Sequence, residues 1–168
     1  SHALTTNANV QNIKTIDAHA SGSTLDLTNQ SENFTINGAG AVDDLTGGAG
    51  NDIIIGKVGN DTLKGGAGTD TFNVDSGTDT ITDLGGVGGG ESDILKVSSG
   101  ATADAINIKN FQATSATQNL GIAKLTAVST GGGTIDMSSA SGSAQYTIIG
   151  GAGADTLKGD AGADTFKI

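Results

Sequence analysis

The sequence contains no cysteine, proline, tryptophan or arginine. The absence of cysteine excludes disulfides, thiolate metal sites and cysteine nucleophiles. All eight basic residues are lysines, and they face 18 acidic residues, which gives a net charge of −10. Such a charge opposes binding to nucleic acid or to an acidic membrane surface. No stretch approaches the roughly 18 consecutive apolar residues of a membrane-spanning helix. We therefore expect neither nucleic-acid binding nor membrane insertion.

Glycine and aspartate are the residues that the chain has in excess. Of its 168 residues 28 are glycine, and the acids comprise 16 aspartates but only 2 glutamates. Five aromatic residues are too few for an ordinary globular core of this length, whereas a repeat architecture needs less core per residue. The preference for the shorter carboxylate indicates aspartates that are held in turns, close to backbone or to a cation.

The repeat has a period of nine residues. Units such as Gly47–Ile55 (GGAGNDIII) and Gly150–Lys158 (GGAGADTLK) contain six turn-forming residues followed by a short alternating segment. Apolar residues follow one another at this spacing, and aspartates precede five of them by two positions. The apolar series is Leu27, Ile36, Leu45, Ile54, Leu63, Phe72 and Ile81, and the aspartate series is Asp43, Asp52, Asp61, Asp70 and Asp79.

This period predicts a stack of parallel strands. The first six positions of a unit form a turn, and the last three form a strand that buries only its middle residue. Two units then close a coil of 18 residues, and successive coils stack about 4.8 Å apart. Asp43 is therefore expected one coil below Asp61, and Asp61 one coil below Asp79. Stacked carboxylates repel each other, and a Ca²⁺ ion between them would convert that repulsion into a bridge.

The units resemble the nonapeptide GGxGxDxUx of the RTX (repeats-in-toxin) family, in which U is a large apolar residue. The resemblance covers residues 38–73 and 150–167, and it implies several Ca²⁺ ions held by turn aspartates and turn carbonyls. The run from Asp79 to Leu84, followed by Asp93, also resembles the segment that closes such a roll. The metal-binding residues implied are Asp43, Gly47, Gly48, Gly50, Asn51, Asp52, Gly56, Gly59, Asn60, Asp61, Gly65, Gly66, Gly68, Thr69, Asp70, Gly77, Asp79, Asp83, Asp93, Gly150, Gly151, Gly153, Asp155, Gly159, Gly162 and Asp164.

We predict an all-β fold, a right-handed parallel β-roll in which a β-rich spacer separates two RTX blocks. The expected segments are an N-terminal β segment (1–37), the first block (38–82), a Gly/Ser/Thr-rich spacer (83–149) and a truncated second block (150–168). In the second block, the nine-residue phase places Met137 and Tyr146 one coil before Asp155 and Asp164, so these sites lack a second carboxylate. Lys57 and Asp160 replace glycine at the second turn position, where we expect a strained φ.

The sequence predicts no enzyme. The segment Asp75–Thr78 resembles the Asp-Ser/Thr-Gly loop of aspartic proteases, but it falls in phase as a turn, and no G-x-S-x-G motif accompanies His19. The resemblance implies a calcium-binding structural module of a secreted bacterial surface protein, similar to S-layer or adhesin proteins and exported by type I secretion. Its partners would be Ca²⁺ and other copies or cell-surface components, and the metal-free chain would be largely disordered.

Three points stay open from the sequence. The alternative function is a non-catalytic export and folding module of a secreted enzyme or toxin. A third reading, ice binding by aligned Thr62, Thr71 and Thr80, is disfavoured because lysine and asparagine interrupt the neighbouring row. Outward-pointing Ile53 and Ile55 indicate either cover by another segment or chain, or a locally widened core.

Overall fold

The computed structural model describes residues 2–5, 13–85 and 92–168, and within these residues all regular structure is β-strand. The short turn-rich units favour strands of three or four residues. The first eleven strands are β1 (His2–Thr5), β2 (Thr15–Asp17), β3 (Ser23–Asp26), β4 (Thr35–Asn37), β5 (Asp44–Thr46), β6 (Ile53–Ile55), β7 (Thr62–Lys64), β8 (Thr71–Val74), β9 (Thr78–Ile81), β10 (Ile94–Val97) and β11 (Thr102–Ile108). The others are β12 (Asn110–Gln112), β13 (Gln118–Asn119), β14 (Ile122–Ala127), β15 (Thr134–Asp136), β16 (Ser141–Gly142), β17 (Tyr146–Ile149), β18 (Thr156–Lys158) and β19 (Thr165–Lys167).

The strands form three parallel sheets, which we name A, B and C. Sheet A has the order β1-β3-β5-β7-β9-β11-β14-β17-β19, sheet B the order β16-β13-β10-β8-β6-β4-β2, and sheet C the order β12-β15-β18. Consecutive strands alternate between sheets A and B up to β11, so the chain winds as a solenoid. The all-β parallel β-roll predicted from the sequence is thus confirmed. Sheet A contains strands from all four predicted segments, whose boundaries stay predictions.

The first block has the predicted coil of 18 residues. The strand pairing places Leu63 beside Leu45 on sheet A and Phe72 beside Ile54 on sheet B, and all four side chains are fully buried. The preceding coil is longer, with a separation of 20 residues from Ser23 to Asp43. Leu25 rather than Leu27 therefore pairs with Leu45, although Leu27 is also buried.

Coils become longer and three-sided after the first block. The separation between Asp70 and Asp93 is 23 residues, and the separation between Gly133 and Asp155 is 22. In the coils after β11 the additional residues build sheet C, whose inward side chains include Phe111 and Ile135, both buried. The longer coils explain why the nine-residue phase fails in this part of the sequence.

Ile53 points out of sheet B, as predicted, and remains 40% exposed, while Ile55 is half-buried and Ile54 between them is fully buried. The outward threonines do not form one row. Thr62 pairs with Thr80 on sheet A, but Thr71 lies on sheet B, where it pairs with Ile53.

Candidate metal centre

The repeat aspartates form two buried ladders at the turns that precede sheets A and B. The ladder before sheet A consists of Asp43, Asp61 and Asp79, and the ladder before sheet B consists of Asp52, Asp70 and Asp93. All six are at most 1% exposed. The stacking of Asp43, Asp61 and Asp79 at one-coil intervals agrees with the arrangement expected from the period.

Each ladder is held by hydrogen bonds from backbone to carboxylate. The N–H of Asp43 donates to Oδ1 of Asp61 (2.8 Å), and the N–H of Asp61 donates to Oδ1 of Asp79 (3.0 Å). The same bonds link Asp52 to Asp70 (2.8 Å) and Asp70 to Asp93 (2.9 Å). One carboxylate oxygen of each upper residue is therefore used for coil stacking, and the partners of the other oxygen differ from turn to turn.

In three of the turns the second oxygen accepts an N–H group of its own nine-residue unit. Oδ2 of Asp43 accepts the N–H of Ala39, and Oδ2 of Asp52 accepts the N–H of Gly48, both at 2.8 Å. In the last turn, Oδ2 of Asp164 accepts the N–H of Asp160 at 2.9 Å. In these turns the second residue of the unit caps the aspartate of its own unit.

Asp61 and Asp79 differ from these residues. Their Oδ2 atoms are buried and have no hydrogen-bond partner. Both atoms face Gly56, because a Cβ placed on this glycine would lie 2.5 Å from Oδ2 of Asp79 and 2.9 Å from Oδ2 of Asp61. Two unpartnered carboxylate oxygens thus meet at a residue that has no side chain, and this is an arrangement that a hard cation with oxygen ligands fits.

Burial makes the ladders costly to charge. It raises the pKa of Asp79 to about 7, with smaller contributions from the negative charges of Asp61 and Asp75. Burial likewise raises the pKa of Asp70 to about 7, and the neighbouring carboxylates of Asp93, Asp52 and Asp83 add to the effect. A divalent cation between such carboxylates would remove this penalty.

The pKa values of Asp52, Asp61 and Asp83 are also raised, mainly by burial. Desolvation therefore acts on both ladders and on the segment that follows the first block.

Asp83 and Asp93 occupy different places around the turn 65–70. Asp93 continues the ladder above Asp70, and its Oδ2 accepts the N–H of Gly85 at 2.8 Å. Asp83 accepts the N–H groups of Gly65 (3.0 Å) and Gly66 (2.9 Å). The spacing of nine could not have located Asp93, because this coil has 23 residues.

The fifth turn position contributes to stacking through its side chain. Oδ1 of Asn51 accepts the N–H of Thr69, and Oδ1 of Asn60 accepts the N–H of Thr78, both at 2.9 Å. Asn33, which the sequence analysis did not single out, makes the same bond to the N–H of Asn51 at 2.8 Å.

The predicted glycines allow the turns to pack closely. Six glycines that lie after the first position of their units approach the preceding coil so closely that a Cβ would touch one of its backbone carbonyls. They are Gly48, Gly50, Gly59, Gly66, Gly68 and Gly77. The first-position glycines Gly47, Gly65, Gly150 and Gly159 instead face the carboxylate of their own unit. Gly38 has the same first position and lies 3.1 Å, measured from its placed Cβ, from Oδ2 of Asp43. The repeat phase could have identified it.

In the second block, the residue one coil before the repeat aspartate agrees with the prediction at one aspartate and differs from it at the other. Tyr146 does precede Asp164 by one coil, and its N–H donates to Oδ1 at 2.9 Å. Met137 does not precede Asp155, because this coil has 22 residues and the N–H of Gly133 donates to Oδ1 of Asp155 at 2.7 Å. Oδ2 of Asp155 is buried without a hydrogen-bond partner and faces Gly150.

The other glycines of this block lie in its two turns. Gly151 lies against the carbonyl of Val128, Gly153 has a φ of 122°, and the N–H of Gly162 donates to Oδ1 of Asp160 at 2.6 Å. The strain expected at the second turn position is found at Lys57, whose φ is 65°, and not at Asp160.

Side chains alone do not complete a metal site. Among residues 13–85 and 92–168, no three His, Cys, Asp or Glu side chains converge in a way that would hold an ion. Carboxylate pairs therefore need additional oxygens, and turn carbonyls supply them in sites of this kind.

The comparison with family models identifies the repeats. A model of four copies of the RTX calcium-binding nonapeptide repeat matches residues 46–81 and 147–166. These two parts of the chain contain RTX calcium-binding nonapeptide repeats, and they include Asp61, Asp79 and Gly56. The comparison with curated proteins and the comparison with solved structures gave no match. In the described part of the chain, no helix is long and apolar enough to cross a membrane.

Proposed function

We propose that the chain is a calcium-binding structural module of a secreted bacterial surface protein, of S-layer or adhesin type, which folds when it meets Ca²⁺ outside the cell. The observation that carries the calcium part is the pair of buried, unpartnered Oδ2 atoms of Asp61 and Asp79 at Gly56. The matched RTX repeats support the same ion. The proposal contains no catalytic step.

Asp61 and Asp79 would hold one ion between successive coils. Each would contribute its Oδ2 atom, while Oδ1 of Asp79 continues to accept the N–H of Asp61. The bound Ca²⁺ would supply positive charge to a buried pair of carboxylates that water cannot reach. Binding would therefore be coupled to the stacking of the two coils.

The test is a calcium titration of the wild type and of Asp79→Asn. Calorimetry and far-UV circular dichroism monitor the titration, and Mg²⁺ is the competing ion. We expect several Ca²⁺ ions per wild-type chain, a gain of β signal, little response to Mg²⁺, and at least one ion fewer for Asp79→Asn. Asp44→Asn is the matched control, because Asp44 is exposed in the same roll and its removal changes the net charge equally. A wild type that binds no Ca²⁺, or an equal loss in both variants, would overturn the proposal.

The surface role has separate support. Ile53 is 40% exposed on sheet B, between Thr35 and Thr71 in the same outward row, so an apolar side chain interrupts a threonine row. Burial of this side chain against another copy or another surface component would remove apolar area from water. Extracellular calcium is then the signal that creates the packing surface.

Sedimentation of the wild type and of Ile53→Thr in Ca²⁺ tests this role. Threonine reproduces the residues on either side in the row, so the variant should keep the fold and the calcium stoichiometry. We expect concentration-dependent assembly of the wild type and a weaker assembly of Ile53→Thr. A wild type that stays monomeric at all concentrations would contradict the lattice part of the proposal and leave the calcium part untouched.

A further inference from the structure

We propose that residues 102–149 form a metal-independent folding nucleus, on which the calcium-dependent coils before and after it assemble. The inference rests on the proposed calcium-dependent folding of those outer coils. It adds a part of the solenoid that keeps its structure when calcium is removed.

In this segment uncharged residues replace the aspartates of the ladder that precedes sheet A. Strand pairing places Ala103 above Asp79, then Ala123 above Ala103, then Tyr146 above Ala123. All three are buried, at 0 to 1% exposure. Where the first block buries carboxylates that need a cation, these coils bury uncharged side chains that need none.

The same segment has almost no acidic residues. Between Asp104 and Asp136 the sequence contains neither aspartate nor glutamate. The carboxylate of Asp104 contacts the ammonium of Lys124 at 2.9 Å on the next strand, and Asp136 lies 3.5 Å from the ammonium of Lys158. Only two carboxylates lie in residues 102–149, and Asp104 is paired within the segment, so removing calcium would not leave repelling carboxylates stacked there.

The core of the segment is also larger than that of a repeat coil. Strands β11 and β14 have seven and six residues and pair with each other, whereas β5, β6 and β7 have three residues each. Three sheets surround the core here, which contains Ile108, Phe111, Leu125, Ile135, Met137 and Ile148. More backbone hydrogen bonds and more buried apolar surface per coil allow these coils to form without a metal.

Hydrogen exchange measured by mass spectrometry on the full chain, in Ca²⁺ and in EGTA at pH 7.5, tests the proposal. In EGTA we expect exchange in 44–81 and 156–167 to rise to nearly the rate of an unfolded chain, while 103–108, 122–127 and 146–149 stay at least about ten-fold slower. A uniform loss of protection along the chain would overturn the nucleus. Protection that ignores calcium everywhere would instead overturn the proposed calcium-dependent fold.

Two matched variants separate the two kinds of coil. Leu63 and Leu125 occupy the same inward row of sheet A, which runs through Ile81 and Ala105, and both are fully buried. In EGTA, Leu125→Ala should remove the residual protection and the residual β signal, whereas Leu63→Ala should leave both unchanged. In Ca²⁺ both variants should lower the melting temperature, which shows that each side chain is packed. Equal behaviour of the two variants in EGTA would refute the nucleus.

Discussion

Gly56→Ala is the substitution that tests the inter-coil site most directly, because it changes no charge and removes no ligand side chain. The new methyl group would lie 2.5 Å from Oδ2 of Asp79 and 2.9 Å from Oδ2 of Asp61. Contacts this short between carbon and oxygen are not tolerated, so the carboxylates must move apart. An ion bound at about 2.3–2.6 Å from both oxygens needs the same space. We therefore expect the variant to lose this one ion.

The size of the effect follows from linkage. When free Ca²⁺ is 100 times the dissociation constant, a site contributes about 2.7 kcal/mol to the free energy of unfolding. In a chain of this length that amounts to roughly 5–10 °C in melting temperature. The loss should be seen in calcium and should shrink as the calcium concentration falls towards the dissociation constant.

The assay is isothermal titration calorimetry for stoichiometry, together with thermal unfolding at several calcium concentrations. Gly40→Ala is the matched control, since a Cβ on this turn glycine of the preceding coil has no atom within 4 Å. The control should bind as many ions as the wild type. If Gly56→Ala also binds the wild-type number with unchanged affinity, then Asp61 and Asp79 do not share an ion at Gly56.

Three further predictions concern pH and the turns. Because burial raises the pKa of Asp70 and Asp79 from 3.8 to about 7, the folded metal-free first block binds more protons than the unfolded block in this range. In EGTA this block, which we expect to be unfolded at pH 7.5, should therefore be stabilised as the pH falls from about 7 to about 4; far-UV circular dichroism in EGTA checks this, and an unchanged β signal would contradict it. Asn51→Ala removes the acceptor of the Thr69 N–H and should lower the free energy of unfolding by about 1 kcal/mol. Calorimetry should count the same number of ions as for the wild type, and the loss of an ion would show that the Asn51 side chain is a ligand. Lys57→Gly relieves a φ of 65° and should raise the free energy of unfolding by up to about 1 kcal/mol, which a higher melting temperature would show. A lower melting temperature would show that the lysine side chain stabilises its turn.

The first block follows from local rules, and for that reason the sequence predicts it well. A strict period of nine fixes which residue of each strand points inward, so Leu45, Ile54, Leu63 and Phe72 could be assigned to the core before any coordinates. The same period places Asp43, Asp61 and Asp79 one above another. What the period could not reveal is which carboxylate oxygens already have backbone partners, because that depends on the geometry of each turn.

The rest of the solenoid depends on pairing between strands of irregular spacing. Nothing in the sequence around Asp155 shows that its coil has 22 residues. The prediction that Met137 lies one coil before Asp155 was therefore wrong, and Gly133 occupies that position. Sheet C is invisible to a search for one period, because its strands β12 and β15 belong to coils of 24 and 22 residues. Asp93 reaches its ladder across such a coil, which spacing alone could not predict.

The 18-residue coil has a mechanical consequence. Stacked in the roll, a coil advances the molecule by about 4.8 Å, whereas the same 18 residues pulled straight span about 60 Å. An ion bound between two coils would therefore restrain a length of chain more than ten times the height of one coil. Under tension, loss of calcium would let the outer coils unfold and extend, and return of calcium would refold them. The number of calcium-dependent coils would then set how far the two ends of the roll could separate before the chain is fully extended.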